Sequence, residues 1–192
     1  MNPAARAKAM LIDPAAEWAL IARESGDPAY LLSRYVAVLA LVPAVFGFIG
    51  SNLIGMIVPG MGLVRASLFN GGFGAIFAYA LAFAIVLVLA LIVNLLAPLF
   101  GAQKDFDSAF KLAVYSYTPV WLAGIFLVLP GLRFLILLSF YGAYVLLLGL
   151  PRLMKSPVQK SYGYAAAIVV CACAMTLIAA AMQRAVFHTA GL

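Results

Sequence analysis

The sequence predicts an all-α membrane protein, a bundle of five transmembrane helices preceded by a short N-terminal amphipathic cytoplasmic helix. Three observations predict it. First, five apolar stretches at 35–58, 74–96, 112–129, 134–150 and 163–182 run for 24, 23, 18, 17 and 20 residues without a charge. A bilayer core roughly 30 Å thick needs about 20 apolar residues of helix to cross it. Second, all 18 charged side chains fall between or outside these stretches. Third, 67% of the 192 residues are hydrophobic and 9% charged, far from the roughly half apolar and quarter charged make-up of soluble domains. The chain divides into a cytoplasmic N-terminal segment, 1–34, and a transmembrane domain, 35–192.

Composition excludes several function classes. The net charge of +6 comes from basic residues scattered over loops and tails, without a basic stripe, so no nucleic-acid partner is expected. Cys171 and Cys173 are two apart within the last apolar stretch and point to different helix faces. They read as buried thiols rather than a disulfide or metal pair. His188 stands alone and no carboxylate lies in any span, so no metal site, catalytic triad or intramembrane acid relay is expected. No cofactor is implied, and the chain reads as non-enzymatic. The start, Met1 to Asp13, lacks the apolar core of a cleaved signal, so the first span is expected to direct insertion.

Charge placement orients the bundle. With five spans, 1–34, 97–111 and 151–162 share one side and carry nine Lys and Arg; the other side carries Arg65, Arg133 and Arg184. Basic residues concentrate on the cytoplasmic side. The N-terminus is therefore expected in the cytoplasm and the C-terminus outside, with a bacterial inner membrane favoured by short loops and alanine-rich spans. Phe100, Phe106, Phe110, Tyr162 and Tyr164 flank one boundary, and Phe69, Phe73, Phe134 and Phe187 the other.

Each element can be justified in order. Asp13-Pro14 is an N-cap followed by proline at the first helical position. Leu11, Ala15, Trp18, Ile21 and Ala22 then share a face, apart from Glu17, Arg23 and Glu24. This predicts a helix over 14–25 that either lies on the cytoplasmic leaflet with Trp18 and Ile21 as its anchor or packs under the bundle as a plug. Gly26-Asp27-Pro28 ends it.

The first span contains Pro43, which frees the Leu39 carbonyl and predicts a kink. Gly47, Ser51 and Gly55 recur every four residues and predict a helix-packing ridge. The stretch 59–73, with Gly60, Gly62, Gly71 and Gly72, reads as a flexible outer connection. It lacks the Gly-Lys-Ser/Thr ending of a phosphate loop. Asn94 closes the second span and is expected to bond a neighbouring helix.

Asp105 is the expected N-cap of the third helix, with Asp107 and Ser108 in its first turn, and Lys111 is expected to snorkel. Tyr115-Ser116-Tyr117-Thr118-Pro119 follows, four hydroxyls beside a helix breaker. Pro119 leaves the Tyr115 carbonyl without its donor, and Thr118 or Ser116 is expected to compensate. Pro130-Gly131 predicts a tight outer turn, and Tyr141 and Tyr144 share a face of the fourth span. Antiparallel geometry puts Tyr117 and Tyr144 at one level. Asn94, Tyr115, Ser116, Tyr117, Thr118, Tyr141 and Tyr144 thus form a candidate polar set. It serves either as interhelical glue, at about 0.6–2 kcal/mol per hydrogen bond, or as the lining of a cavity for a lipid or solute. Gly149-Leu150-Pro151 closes the fourth span, and small residues suit the fifth to close packing.

Laid out on five spans, the chain resembles the Yip family (Ypt-interacting membrane proteins) in its bacterial form. The resemblance rests on Leu11-Ile12-Asp13-Pro14 with Glu17-Trp18 and on Lys111-Leu112-Ala113 leading into Tyr115–Pro119 and Trp121-Leu122-Ala123-Gly124. It continues through Leu148-Gly149-Leu150-Pro151 with Leu153-Met154-Lys155, and Gly163-Tyr164. It implies a five-helix bundle with a cytoplasmic N-terminus and no catalytic residues. Eukaryotic members resemble trafficking factors that bind prenylated Rab-type GTPases. Their long cytosolic N-terminal region has no counterpart before Tyr35, so small-GTPase binding is not carried over. The functional expectation is a non-enzymatic protein that organises membrane or partner proteins. Its partners would be the lipid bilayer, a membrane-protein partner or a homo-oligomer. The alternative is a small transporter or lipid-binding protein using the tyrosine-lined region.

Overall fold

The computed structural model describes residues 2–24, 27–58, 62–65 and 67–189, the side chains of 56–58, 130 and 186–189 excepted. Readings that fall on Gly26, Pro59, Gly60 and the side chains of Phe187 and His188 lie outside the described residues. Two short helices come first, α1 (Pro3–Ile12) and α2 (Pro14–Ile21). Five helical stretches long and apolar enough to cross a membrane follow among the described residues. They are α3 (Pro28–Ile54), α4 (Leu68–Phe100), α5 (Phe106–Val128), α6 (Gly131–Leu153) and α7, which runs Val158–Thr189 with its span over Val158–Ala185.

The five stretches observed begin earlier or end later than the apolar windows, because helix continues through the polar residues at the boundary. Arg34, Lys111 and Lys160 each sit on a helix. α1 had no counterpart in the sequence reading, although Asn2-Pro3 repeats the Asp13-Pro14 signal.

α5 is the central helix. Its residues 109–119 are buried on every side, as a helix surrounded by other helices must be. α3, α4 and α6 pack against it, and α7 closes the ring on α4 and α6. Large apolar side chains such as Leu91, Leu95, Leu137 and Val170 face outward, where a bilayer replaces water as solvent.

Proline breaks the spans where its missing N–H requires. α3 is interrupted at Ala40, three residues before Pro43, and α5 at Tyr117, two before Pro119. The described part of the connection between α3 and α4 is more ordered than the sequence suggested. Met56–Val58 and Gly62–Val64 pair as an antiparallel ribbon, and α4 starts at Leu68, so Gly71 and Gly72 are helical. The Asn52 amide donates to the Ser67 carbonyl at 2.7 Å, tying α3 to the start of α4.

The ridge on α3 is only partly as expected. Gly47 faces Leu127, but the close approach is at Gly50, where a Cβ would collide with the Leu127 carbonyl. Ser51 donates to the Gly47 carbonyl at 2.8 Å. Gly55 ends the helix at φ +87°, a conformation suited to glycine, and its close approach is to the Val64 carbonyl of the ribbon rather than to another helix.

Candidate functional site

The charged end of the bundle is covered by α1 and α2. Asn2 accepts the Ala4 N–H at 3.0 Å with Pro3 at the first helical position. Asp13 both ends α1 and caps α2, accepting the Ala16 N–H at 3.0 Å. One residue thus makes a sharp corner, and the two helices fold into a hairpin. Pro14, Glu17, Trp18 and Ile21 form the buried face of α2, and Ala7 and Met10 that of α1.

The hairpin is clasped by side chains of α5 and α6. The Trp18 indole N–H donates to the Val145 carbonyl at 2.9 Å, and the Tyr141 hydroxyl to the Leu11 carbonyl at 3.1 Å. Arg152 donates to the Ala15 carbonyl and Lys111 to the Glu24 carbonyl. Trp18 and Ile21 are both fully buried. The surface-anchor reading is corrected: an indole that finds an acceptor inside the bundle is more stable there than at the headgroup level, and α2 packs as a plug.

Arg6 organises the polar part. Its guanidinium pairs with Glu17 and Glu24 and lies 5.9 Å above the Tyr115 ring, a cation–π arrangement. Burial alone would lower its pKa. The hydrogen bonds it donates to Glu24 and Glu17 outweigh that and leave it raised. Beneath Arg6 the Tyr115 ring meets Trp18 edge-on at 6.1 Å and Tyr35 at 4.9 Å. The Tyr35 hydroxyl shares a 2.8 Å hydrogen bond with Thr118. A column of interacting groups therefore runs from the bundle end down to the Pro119 break. Asn2, Arg6, Glu17, Leu20, Arg23 and Glu24 border an open cleft of about 550 Å³ above it.

The structure distributes the candidate polar set over separate places. Tyr115 and Thr118 belong to the column. Tyr117 packs on Trp121 at 5.7 Å and reaches Thr176 of α7 at 3.5 Å. The rings of Tyr141 and Tyr144 lie 5.5 Å apart, tilted by 41°, on the outward side of α6, with Tyr144 half exposed. The reason is Gly142 between them. A Cβ there would lie 2.7 Å from the Ser116 carbonyl oxygen, so the glycine face of α6 touches α5 and the tyrosines fall to the edges. Tyr117 and Tyr144 are on different neighbours. Thr118 shares its hydroxyl hydrogen bond with Tyr35, and neither Ser116 Oγ nor Asn94 Oδ1 has a hydrogen-bond partner among the described residues. The expected compensation at Pro119 and the expected interhelical bond of Asn94 are therefore not what these oxygens do.

Sequence reasoning missed Arg6, Met10, Tyr35 and Gly142. Asn2-Pro3 would have found α1 and with it Arg6 and Met10. Gly142 and Gly149, seven apart and so on one face, would have identified the side of α6 that touches α5.

Comparison with known proteins gives a family. The family model described as the Yip1 domain matches residues 8–181. Searches of the curated proteins and of the solved structures found no match.

Proposed function

The chain belongs to the Yip1 domain family, and on that premise we propose that it organises membrane or partner proteins rather than transforming a substrate. It is an integral membrane protein with five apolar spanning helices. The observation that carries the proposal is the fate of its polar groups. Arg6, Trp18 and Tyr115 hold the N-terminal hairpin against the bundle, and Tyr35 and Thr118 tie α3 to α5 beneath it. That builds a rigid, charged platform at the bundle end which also bears the basic loops.

The nine-to-three bias of Lys and Arg supports a cytoplasmic platform and an inner-membrane location. After Cys171 and Cys173 are replaced by alanine, Lys8→Cys is expected to resist a membrane-impermeant maleimide in intact cells while Arg65→Cys reacts. The reverse pattern would overturn the orientation. For function, affinity purification in mild detergent followed by transfer to lipid nanodiscs is expected to recover a stoichiometric partner or an oligomer. A solitary monomer would count against an organising role.

A further inference from the structure

Two loops at the charged end are stitched into one surface. The Gln103 N–H donates to the Met154 carbonyl at 2.8 Å, which joins the two loop segments that carry Lys104 and Lys155. Lys160 reaches back over the same loop: a Cβ at Gly101 would lie 3.7 Å from its Nζ. The support is rigid. Ser156 and Ser161 share a buried 2.7 Å hydrogen bond, and Phe100 stacks on Tyr164 at 4.9 Å.

All three lysines are exposed, and among the described residues the ion pairs are those of Arg6. The nearby acids form no ion pair with them among the described residues. Asp105 is turned to the Ser108 N–H at 3.3 Å as a helix cap, and Asp107 follows in the first turn of α5. Lys155 adopts φ +51°, the one positive value at a non-glycine among the described residues. That conformation costs about 1–2 kcal/mol for a side chain with a Cβ. Glycine would remove the cost, yet a lysine occupies the place.

We propose that Lys104, Lys155 and Lys160 form a headgroup site for an anionic phospholipid of the surrounding leaflet. Unpaired ammonium groups beside the membrane boundary complement a lipid phosphate. Leu99, Val158 and Tyr162, 73%, 61% and 64% exposed, flank the lysines and suit the glycerol and acyl region below it. This favours a lipid over a free anion. The inference rests on membrane insertion and is independent of the organising role.

The test is native mass spectrometry of protein released from nanodiscs of phosphatidylcholine with one-fifth phosphatidylglycerol. The wild type is expected to retain phosphatidylglycerol. K104Q, K155Q and K160Q are each expected to lower that retention roughly fivefold. The triple variant K8Q/R23Q/R34Q, which removes three positive charges at the same end where each lysine variant removes one, is expected to retain it. Lys155→Gly separates the roles: it is expected to raise the thermal midpoint while lowering retention. Unchanged retention in the lysine variants, equal loss in the control triple, or full displacement by millimolar glycerol 3-phosphate would overturn the proposal.

Discussion

Trp18 and Val145, 127 residues apart, are joined by a buried 2.9 Å hydrogen bond from the indole N–H to the backbone carbonyl. The same ring occupies the space above Gly149, where a Cβ would lie 2.7 Å from it. The N-terminal hairpin is therefore part of the bundle core. Trp18→Ala is expected to cost about 3–5 kcal/mol by cavity formation. Trp18→Phe, which keeps most of the volume and loses the donor, is expected to cost about 1 kcal/mol or a little more. Reversible unfolding in mixed micelles measures both. Equal costs would mean that the ring's volume does not matter.

Arg6 is half-buried between two carboxylates of unequal exposure, Glu17 at 11% and Glu24 at 45%. Removing the cation leaves Glu17 buried without its partner, so Arg6→Ala is expected to cost about 3 kcal/mol. Glu24→Gln, at a solvated position, is expected to cost about 1 kcal/mol or less. The raised pKa of Arg6 keeps its contribution fully present below the unfolded value, which lies far above neutrality. Arg6 itself should therefore add no pH dependence between pH 5 and about 9. A steep Arg6-dependent change in midpoint within that range would contradict the arrangement.

Much of this was legible in the sequence because the bilayer leaves few alternatives. Charge-free runs long enough to cross it have to be helices, and Asp13, Asp105, Pro43 and Pro119 mark ends and breaks through chemistry local to one turn. Trp18 was harder. Its helical face was legible, but whether that face meets lipid or protein depends on Val145 and Gly149, which no local pattern connects to it. The tyrosines show the same limit. Span length leads only to an expectation of equal depth for Tyr117 and Tyr144, whereas rotation about the α6 axis is set by where Gly142 lets two backbones approach.

Tyr35 and Thr118 share a hydrogen bond in a fully buried setting. Tyr35→Phe and Thr118→Val are each expected to cost about 0.6–1.7 kcal/mol. The double variant should cost less than their sum, because either change already removes the bond. Tyr117→Phe combined with Tyr144→Phe, residues with separate neighbours, should instead be additive. Additivity in the first pair, or strong coupling in the second, would place these hydroxyls in other company.

Two glycines should respond oppositely to alanine. At Gly142 a Cβ would meet the Ser116 carbonyl oxygen at 2.7 Å. Backbone cannot move aside cheaply, so Gly142→Ala is expected to cost about 1–3 kcal/mol. At Gly72, inside α4, nothing lies within 4 Å of the added carbon, and Gly72→Ala is expected to stabilise by about 0.5–1 kcal/mol through helix propensity. The same sign for both variants would mean that α6 does not approach α5 through its glycine face.

Asp105 supplies a pH dependence that can be isolated. Its carboxylate is stabilised first by the Ser108 side chain, against burial, and then by the Ser108 and Asp107 N–H groups, so its folded pKa is depressed. A depressed carboxyl contributes stability that is present above its unfolded value, about 4, and is lost as pH falls through the folded value below it. Asparagine caps a helix about as well as aspartate and does not titrate. Asp105→Asn should therefore match the wild type at pH 7, while Asp105→Ala loses about 1 kcal/mol. Below about pH 4 the wild type should lose stability relative to Asp105→Asn. Thermal midpoints from pH 7 to pH 3 give the comparison. An unchanged gap between the two proteins across that range would show that the carboxylate at the start of α5 is not held by the first turn of its own helix.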